Sequence, residues 1–132
     1  MYPARYPEVI GVGASSPYGE IAEFSNSGQE LDITAPGTDI VSTNVWKWGG
    51  FGICSGTSMA SPHVAGTVAM MLAIDPELSA TEIRSILQES ARELKYSPGI
   101  GDLNLTGALK KVYLRALRKA WRRRWLRYRG WR

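Results

Sequence analysis

Ser58 is the residue best placed to do chemistry. It lies in Ser55-Gly56-Thr57-Ser58-Met59-Ala60-Ser61-Pro62-His63-Val64-Ala65-Gly66. That stretch joins a Gly-rich run, Gly49-Gly50-Phe51-Gly52, to an apolar helical run from Val64 to Ile74. Gly56 permits a tight turn that a side chain would resist. Beyond it the first amides of a helix have no partner within the helix, and the dipole is positive there. A serine at that point suits a nucleophile that must also stabilise a developing oxyanion. For a lone Gly-Thr-Ser, a serine-rich helix cap is the plainer reading.

Gly-Thr-Ser-Met-Ala-Ser-Pro-His-Val-Ala-Gly, Gly56 to Gly66, resembles the active-serine segment of the subtilisin-like serine proteases, the subtilases (peptidase family S8). The likeness starts at Tyr2-Pro3-Ala4-Arg5-Tyr6-Pro7 and continues through Phe24-Ser25-Asn26-Ser27-Gly28 and Ala35-Pro36-Gly37. It ends near Gly99-Ile100-Gly101-Asp102-Leu103-Asn104, about four-fifths of the chain. The resemblance makes Ser58 the counterpart of the catalytic serine. It implies polypeptide substrates and an α/β fold, a doubly wound parallel sheet wrapped by helices. It also implies secretion, the family's habit.

A serine hydroxyl needs an imidazole within hydrogen-bond reach, and that base needs a carboxylate to orient it. In the subtilisins the triad runs Asp, His, Ser along the chain. No histidine precedes Ser58 here, and the one histidine is His63. Five residues on a helix turn about 500°, roughly 140° around the axis, so His63 faces away from the Ser58 hydroxyl. The resemblance makes it a packing histidine instead. Asp32 and Asp39 precede Ser58 but stand outside the family's aspartate motif, and Asn26 and Asn44 do not match its oxyanion-hole amide. What remains of the hole is the Ser58 N–H, with the Thr57 hydroxyl as a helper. The expectation is the C-terminal part of a subtilase domain, residues 1–112, whose base and aspartate come from another polypeptide segment and which is inactive alone. The alternative is a catalytically dead remnant whose basic tail binds an anionic membrane surface or nucleic acid.

Met59 reads as a core filler, or as a residue beside the serine whose oxidation disturbs the site. Cys54, the only cysteine, reads as a buried inert thiol or as a border of the leaving-group side of the cleft. One His, one Cys and no clustered spacing support no metal site. The family often binds calcium, yet no carboxylate cluster here matches a calcium loop. No cofactor is expected.

The elements that must hold Ser58 are short. Residues 8–14 form an apolar run between turn signals, a candidate buried strand. Residues 15–19 are turn-like, residues 21–24 a brief extended piece and residues 25–28 a second turn. Residues 31–35 alternate as a half-buried strand does, Pro36-Gly37 ends them, and residues 39–43 are a second run, β-branched at Ile40, Val41 and Thr43. Residues 46–51 read as a loop. The serine helix is apolar nearly all round and is expected to be buried, with Val64, Val68, Met71 and Leu72 at helical spacing. Pro62 is tolerated only near a helix start, so an irregular first turn is expected. Ser79 and Glu82 fit a capping box opening a helix to about residue 91, with Ile83, Ile86, Leu87 and Ala91 inward. Residues 97–101 read as a turn. Asn104 is a good N-cap for a last helix that docks through Leu105, Ala108, Leu109 and Val112. With most covering strands missing, the isolated chain is expected to be marginal or molten, or to need a partner segment.

Composition divides the chain. Residues 1–109 carry five bases against all twelve acids, and residues 110–132 carry eleven bases and no acid. That is an acidic body with a basic end. In residues 113–132, a basic helical extension, Tyr113, Leu117, Trp121 and Trp125 fall four apart along one stripe. Three readings stand: a solvated extension or sequence translated past an original stop or frame change, a helix lying on an anionic membrane surface, or a binder of single-stranded nucleic acid. No run of eighteen apolar residues spans a membrane, and residues 1–7 have no apolar signal core, so any secretion signal is expected outside this chain.

Overall fold

The computed structural model describes residues 3–26, 28, 30–45, 49–96 and 99–129, with side chains to residue 125. Six strands and three helices are seen among them. The strands are β1 (Val12–Ser15), β2 (Ile33–Pro36), β3 (Ile40–Thr43), β4 (Phe51–Cys54), β5 (Arg92–Glu93) and β6 (Gly101–Asp102). The helices are α1 (Thr57–Ile74), α2 (Ala80–Ser90) and α3 (Leu105–Arg129).

The four-stranded sheet runs β1-β2-β6-β5. β1 pairs parallel with β2, and β2 parallel with β6 through Thr34 and Asp102. β5 closes the edge antiparallel to β6. β3 and β4 form a separate antiparallel hairpin, with Ile40 opposite Cys54 and Thr43 opposite Phe51. The fold is α/β as expected; β1, β2 and β6 keep the expected parallel order, and antiparallel β5 makes the sheet mixed.

β1 and β2 form because small and β-branched residues fit a sheet buried on both faces. Ala14, Ile33, Thr34 and Ala35 are fully buried. Thr34 carries a hydroxyl into that core and donates it to the Gly101 carbonyl (3.2 Å) and to Asp102 Oδ1 (3.1 Å). The core is completed by Ala60, Val64 and Met71 of α1, Ile83 and Leu87 of α2, and Ala108 and Val112 of α3.

Two helix starts match their sequence signals. The Glu82 amide donates to Ser79 Oγ at 3.3 Å, and the Ser79 amide donates to Glu82 Oε2 at 2.9 Å, a reciprocal capping box. At α3, Asn104 Oδ1 accepts from the Gly107 amide at 3.0 Å. Ala108 and Val112 dock as expected, whereas Leu105 is 41% exposed.

Other expectations need correction. α1 is regular from Thr57, with Pro62 inside it. The missing Pro62 N–H removes one bond, to the Ser58 carbonyl, near the exposed start of the helix. α1 is also buried on one side only: Ala60, Val64, Thr67 and Met71 are covered, while Ala65, Gly66, Ala69, Met70 and Ala73 meet solvent. β1 and β2 cover the inner side and α3 flanks it; among the described residues nothing covers the rest. Residues 21–24 contribute one bridge, Ile21 to Ser15, and otherwise turn. The residue 46–51 loop is β4 from Phe51, and the residue 97–101 turn ends in β6 at Gly101. Trp46, Lys47 and Trp48, and Ser97 and Pro98, lie outside the described residues.

α3 runs through residue 113 without a break. Arg115, Lys119 and Arg123, four apart on one face, reach the body's acids. Arg115 pairs with Glu82 and, at 3.3 Å, with Asp75. Lys119 sits 2.8 Å from Asp75 and 3.4 Å from Glu77, and Arg123 3.0 Å from Glu77. Asp75 is only 5% exposed. The hydrogen bond from Lys119, against the opposing pull of burial, holds its carboxyl below the usual range, and the same bond raises the Lys119 ammonium.

Candidate active site

Ser58 is the second residue of α1 and is exposed. Gly56, the N-cap, has φ 156° and ψ 161°, a conformation open to glycine alone, and gives no side-chain cap. The Thr57 and Ser58 amides have no carbonyl four residues back within α1. They stand at the positive end of an 18-residue helix.

The start of α1 is tied to the sheet. The Gly56 amide donates to the Gly37 carbonyl at 2.7 Å, directly after β2, and the Gly37 amide donates to Ser15 of β1 at 3.1 Å. Ser55 Oγ accepts from the Asp39 amide at 2.9 Å, which fixes the start of the hairpin to the same turn. Asp39 holds a positive φ of 54° there.

An open groove of about 610 Å³ runs beside Ser58, lined by Thr57, Ser58, Ser61 and Pro62 on one side and by Pro3, Ala4 and residues 9–12 on the other. Arg84 of α2 secures the far wall. It donates to the Pro7 carbonyl at 2.6 Å and the Val9 carbonyl at 2.7 Å. Its Nε lies 3.3 Å from Asp32 Oδ1, a charge contact without hydrogen-bond geometry. Asp32 also accepts from the Gly11 amide at 2.9 Å and from Gln88 Nε2 at 3.1 Å. Asp32 is thus a clamp on that wall. Arg84 was not singled out from sequence, because backbone carbonyl acceptors leave no residue-type signal.

Thr57 is half-buried and lines the groove with Ser58. His63 is exposed, and its Nδ1 lies 2.8 Å from the Met59 carbonyl of its own helix. It is therefore not packed inside α1, and its ring serves the helix backbone. Cys54 is a free, exposed thiol on β4, which overturns its reading as buried. Met59 is half-buried beside Gly56. Asn44 packs against Gly52 at the hairpin, and Asn26 is exposed. Among the described residues there is no group of three or more His, Cys, Asp or Glu that could hold a metal ion.

The family model described as the Subtilase family matches residues 1–114. The chain belongs to the subtilases. It is 41% identical over 109 residues to a subtilisin of Bacillus pumilus, covering 81% of this chain and 39% of that protein. It is equally similar to subtilisin E of Bacillus subtilis, of which it covers 28%. Among solved structures it is similar to fervidolysin from Fervidobacterium pennivorans, a keratinolytic enzyme related to subtilisin. The TM-score is 0.73 at 34% identity, over 83% of this chain and 20% of that one. A protease from Pseudoalteromonas arctica PAMC 21717 gives a TM-score of 0.73 at 29% identity, over 84% of this chain and 38% of that one. This subtilase chain therefore spans well under half the length of those relatives.

Proposed function

We propose that this chain is the serine-bearing part of a subtilisin-like endopeptidase. Ser58 Oγ attacks the carbonyl of a peptide bond and forms an acyl-enzyme. The Ser58 N–H, helped by the Thr57 hydroxyl, holds the oxyanion. The imidazole that takes the Ser58 proton, and the carboxylate that orients it, come from another polypeptide segment. The reading rests on one observation above all: an exposed serine hydroxyl stands at the positive end of α1, on an open groove. His63 supports the second half of the reading, because its ring is turned to the Met59 carbonyl. Asp32 and Asp39 are engaged elsewhere, with Gly11 and Gln88, and with Ser55.

A fluorophosphonate probe tests it. The chain is treated alone, then after mixing with the part of subtilisin E that precedes its match, with Ser58→Ala as control. The expected result is labelling of Ser58 only in the mixture, lost in Ser58→Ala. No labelling in either case overturns the enzyme reading and leaves a silent remnant of the same ancestry. Casein hydrolysis by the unaided chain, abolished in Ser58→Ala, overturns the need for a second segment.

A further inference from the structure

α3 carries two faces of different use. Its inner face buries Ala108 and Val112 and pairs Arg115, Lys119 and Arg123 with Asp75, Glu77 and Glu82. Its outer face is apolar and wet. Leu114, Leu117, Trp121 and Trp125 are 42%, 39%, 75% and 54% exposed. At 100° per residue these four fall within an arc of about 80°, centred opposite Val112 and spread over roughly 17 Å of helix. Arg118 and Arg124, both exposed, stand about 20° beyond either edge of that arc. Among the described residues neither pairs with a carboxylate. Residues 105–132 contain no acid.

We propose that this outer face docks on an anionic lipid surface, with α3 lying flat in the interface. Leu and Trp enter the headgroup–acyl boundary, while Arg118 and Arg124 extend from the strip's edges to lipid phosphates. The charge is complementary because Asp75, Glu77 and Glu82 are held by the inner row, and Glu89, which borders Leu114 and Arg118, is held by Lys111 at 2.8 Å, while α3 itself contributes no acid. Among the described residues no helix is long and apolar enough to cross a membrane, which fits a surface-lying helix. Single-stranded nucleic acid fits less well. It needs aromatic faces along a basic groove, and here half the strip is leucine on a convex helix side. The inference is independent of any role for Ser58.

The test is flotation of the full chain with phosphatidylcholine vesicles, with and without phosphatidylserine. The chain is expected to float with the phosphatidylserine vesicles and to remain behind with phosphatidylcholine alone. Two variants, Leu114→Gln with Leu117→Gln and Trp121→Gln, and Arg118→Glu with Arg124→Glu, are each expected to lower the partition coefficient by about tenfold or more. All five side chains are exposed, and circular dichroism checks that the helix survives. If the triple variant loses helix, Trp121→Gln alone and the charge-reversal variant decide the matter. Parent and variants floating equally well, or a parent that ignores phosphatidylserine, would overturn the proposal. So would a single-stranded oligonucleotide that displaces the chain from vesicles and binds through the same residues, which would reassign the strip to nucleic acid.

Discussion

The amide of Gly56 donates to the carbonyl of Gly37 across 2.7 Å, and no side chain fits between the turns they occupy. A Cβ on Gly37 would lie 2.6 Å from the Ala14 Cβ and 2.9 Å from the Gly56 carbonyl oxygen. Neither neighbour is the end of a flexible side chain, so strand or helix must shift. Gly37→Ala is expected to destabilise the chain by about 1–3 kcal/mol through overpacking. Gly66 is the internal control: it is helical, exposed and has nothing within 4 Å of an added Cβ. Gly66→Ala is expected to stabilise by roughly 0.5–1 kcal/mol through helix propensity. Urea midpoints measure both, and shifts of the same sign would refute the contrast.

Arg84 joins α2 to the groove wall through two carbonyls, Pro7 and Val9. Arg84→Ala strips both of their donor and removes the cation beside Asp32, with an expected loss of about 1–3 kcal/mol. Arg84→Lys is expected to recover only part of it, since one ammonium cannot copy the guanidinium's fixed fork. The local signature is faster hydrogen exchange in residues 5–12 with α1 unchanged. Unaltered exchange there would show that Arg84 does not hold the wall.

What could be read from the sequence was what is local. The Ser79–Glu82 box lies within one helical turn, and Asn104 caps the helix it precedes. Ser58 was legible because neighbouring residues in one stretch build its turn and helix start. β5 and β6 were not, since two-residue strands have no period to detect and exist through pairing with each other and with Thr34. The Arg84 bond to Pro7 spans 77 positions and ends on backbone. The apolar surround of α1 was legible as a pattern, but the pattern does not say how much of the helix its own chain covers. The basic end read as an appendage because its charge differs from the body, and that same difference is what ties Arg115, Lys119 and Arg123 to it.

The Asp75–Lys119 pair makes part of the α3 docking energy depend on pH. Asp75 is depressed below its ordinary 3.8, so its contribution is present above that value and fades as pH falls through the depressed range. Lys119 is raised above its ordinary 10.5, so its contribution is present below that value and is lost as pH climbs through the raised one. The melting temperature of the parent is expected to exceed that of Asp75→Asn on the plateau between those limits, with the gap closing as pH falls through the Asp75 range and only narrowing above the Lys119 range, where Arg115 still pairs with Asp75. A gap that persists well below the carboxylate range would mean that Asp75 acts by packing alone.

Met70 and Met71 are adjacent on α1, yet one is 49% exposed and the other fully buried. In this chain Met71→Ala is expected to cost about 2–5 kcal/mol, the loss of a filled core position. Met70→Ala is expected to stay within about 0.5 kcal/mol, because its side chain is half in water already. The order of these costs changes if a second segment completes the domain, as the proposed division of the triad requires. A segment laid over Gly66, Met70 and Ala73 would bury Met70 and raise the cost of its truncation toward that of Met71. Binding of the upstream part of subtilisin E to the parent and to both variants checks this. Weaker binding by Met70→Ala, with the free chain still as stable as the parent, is the expected result. Equal binding would mean that the wet side of α1 is not where the segment seats.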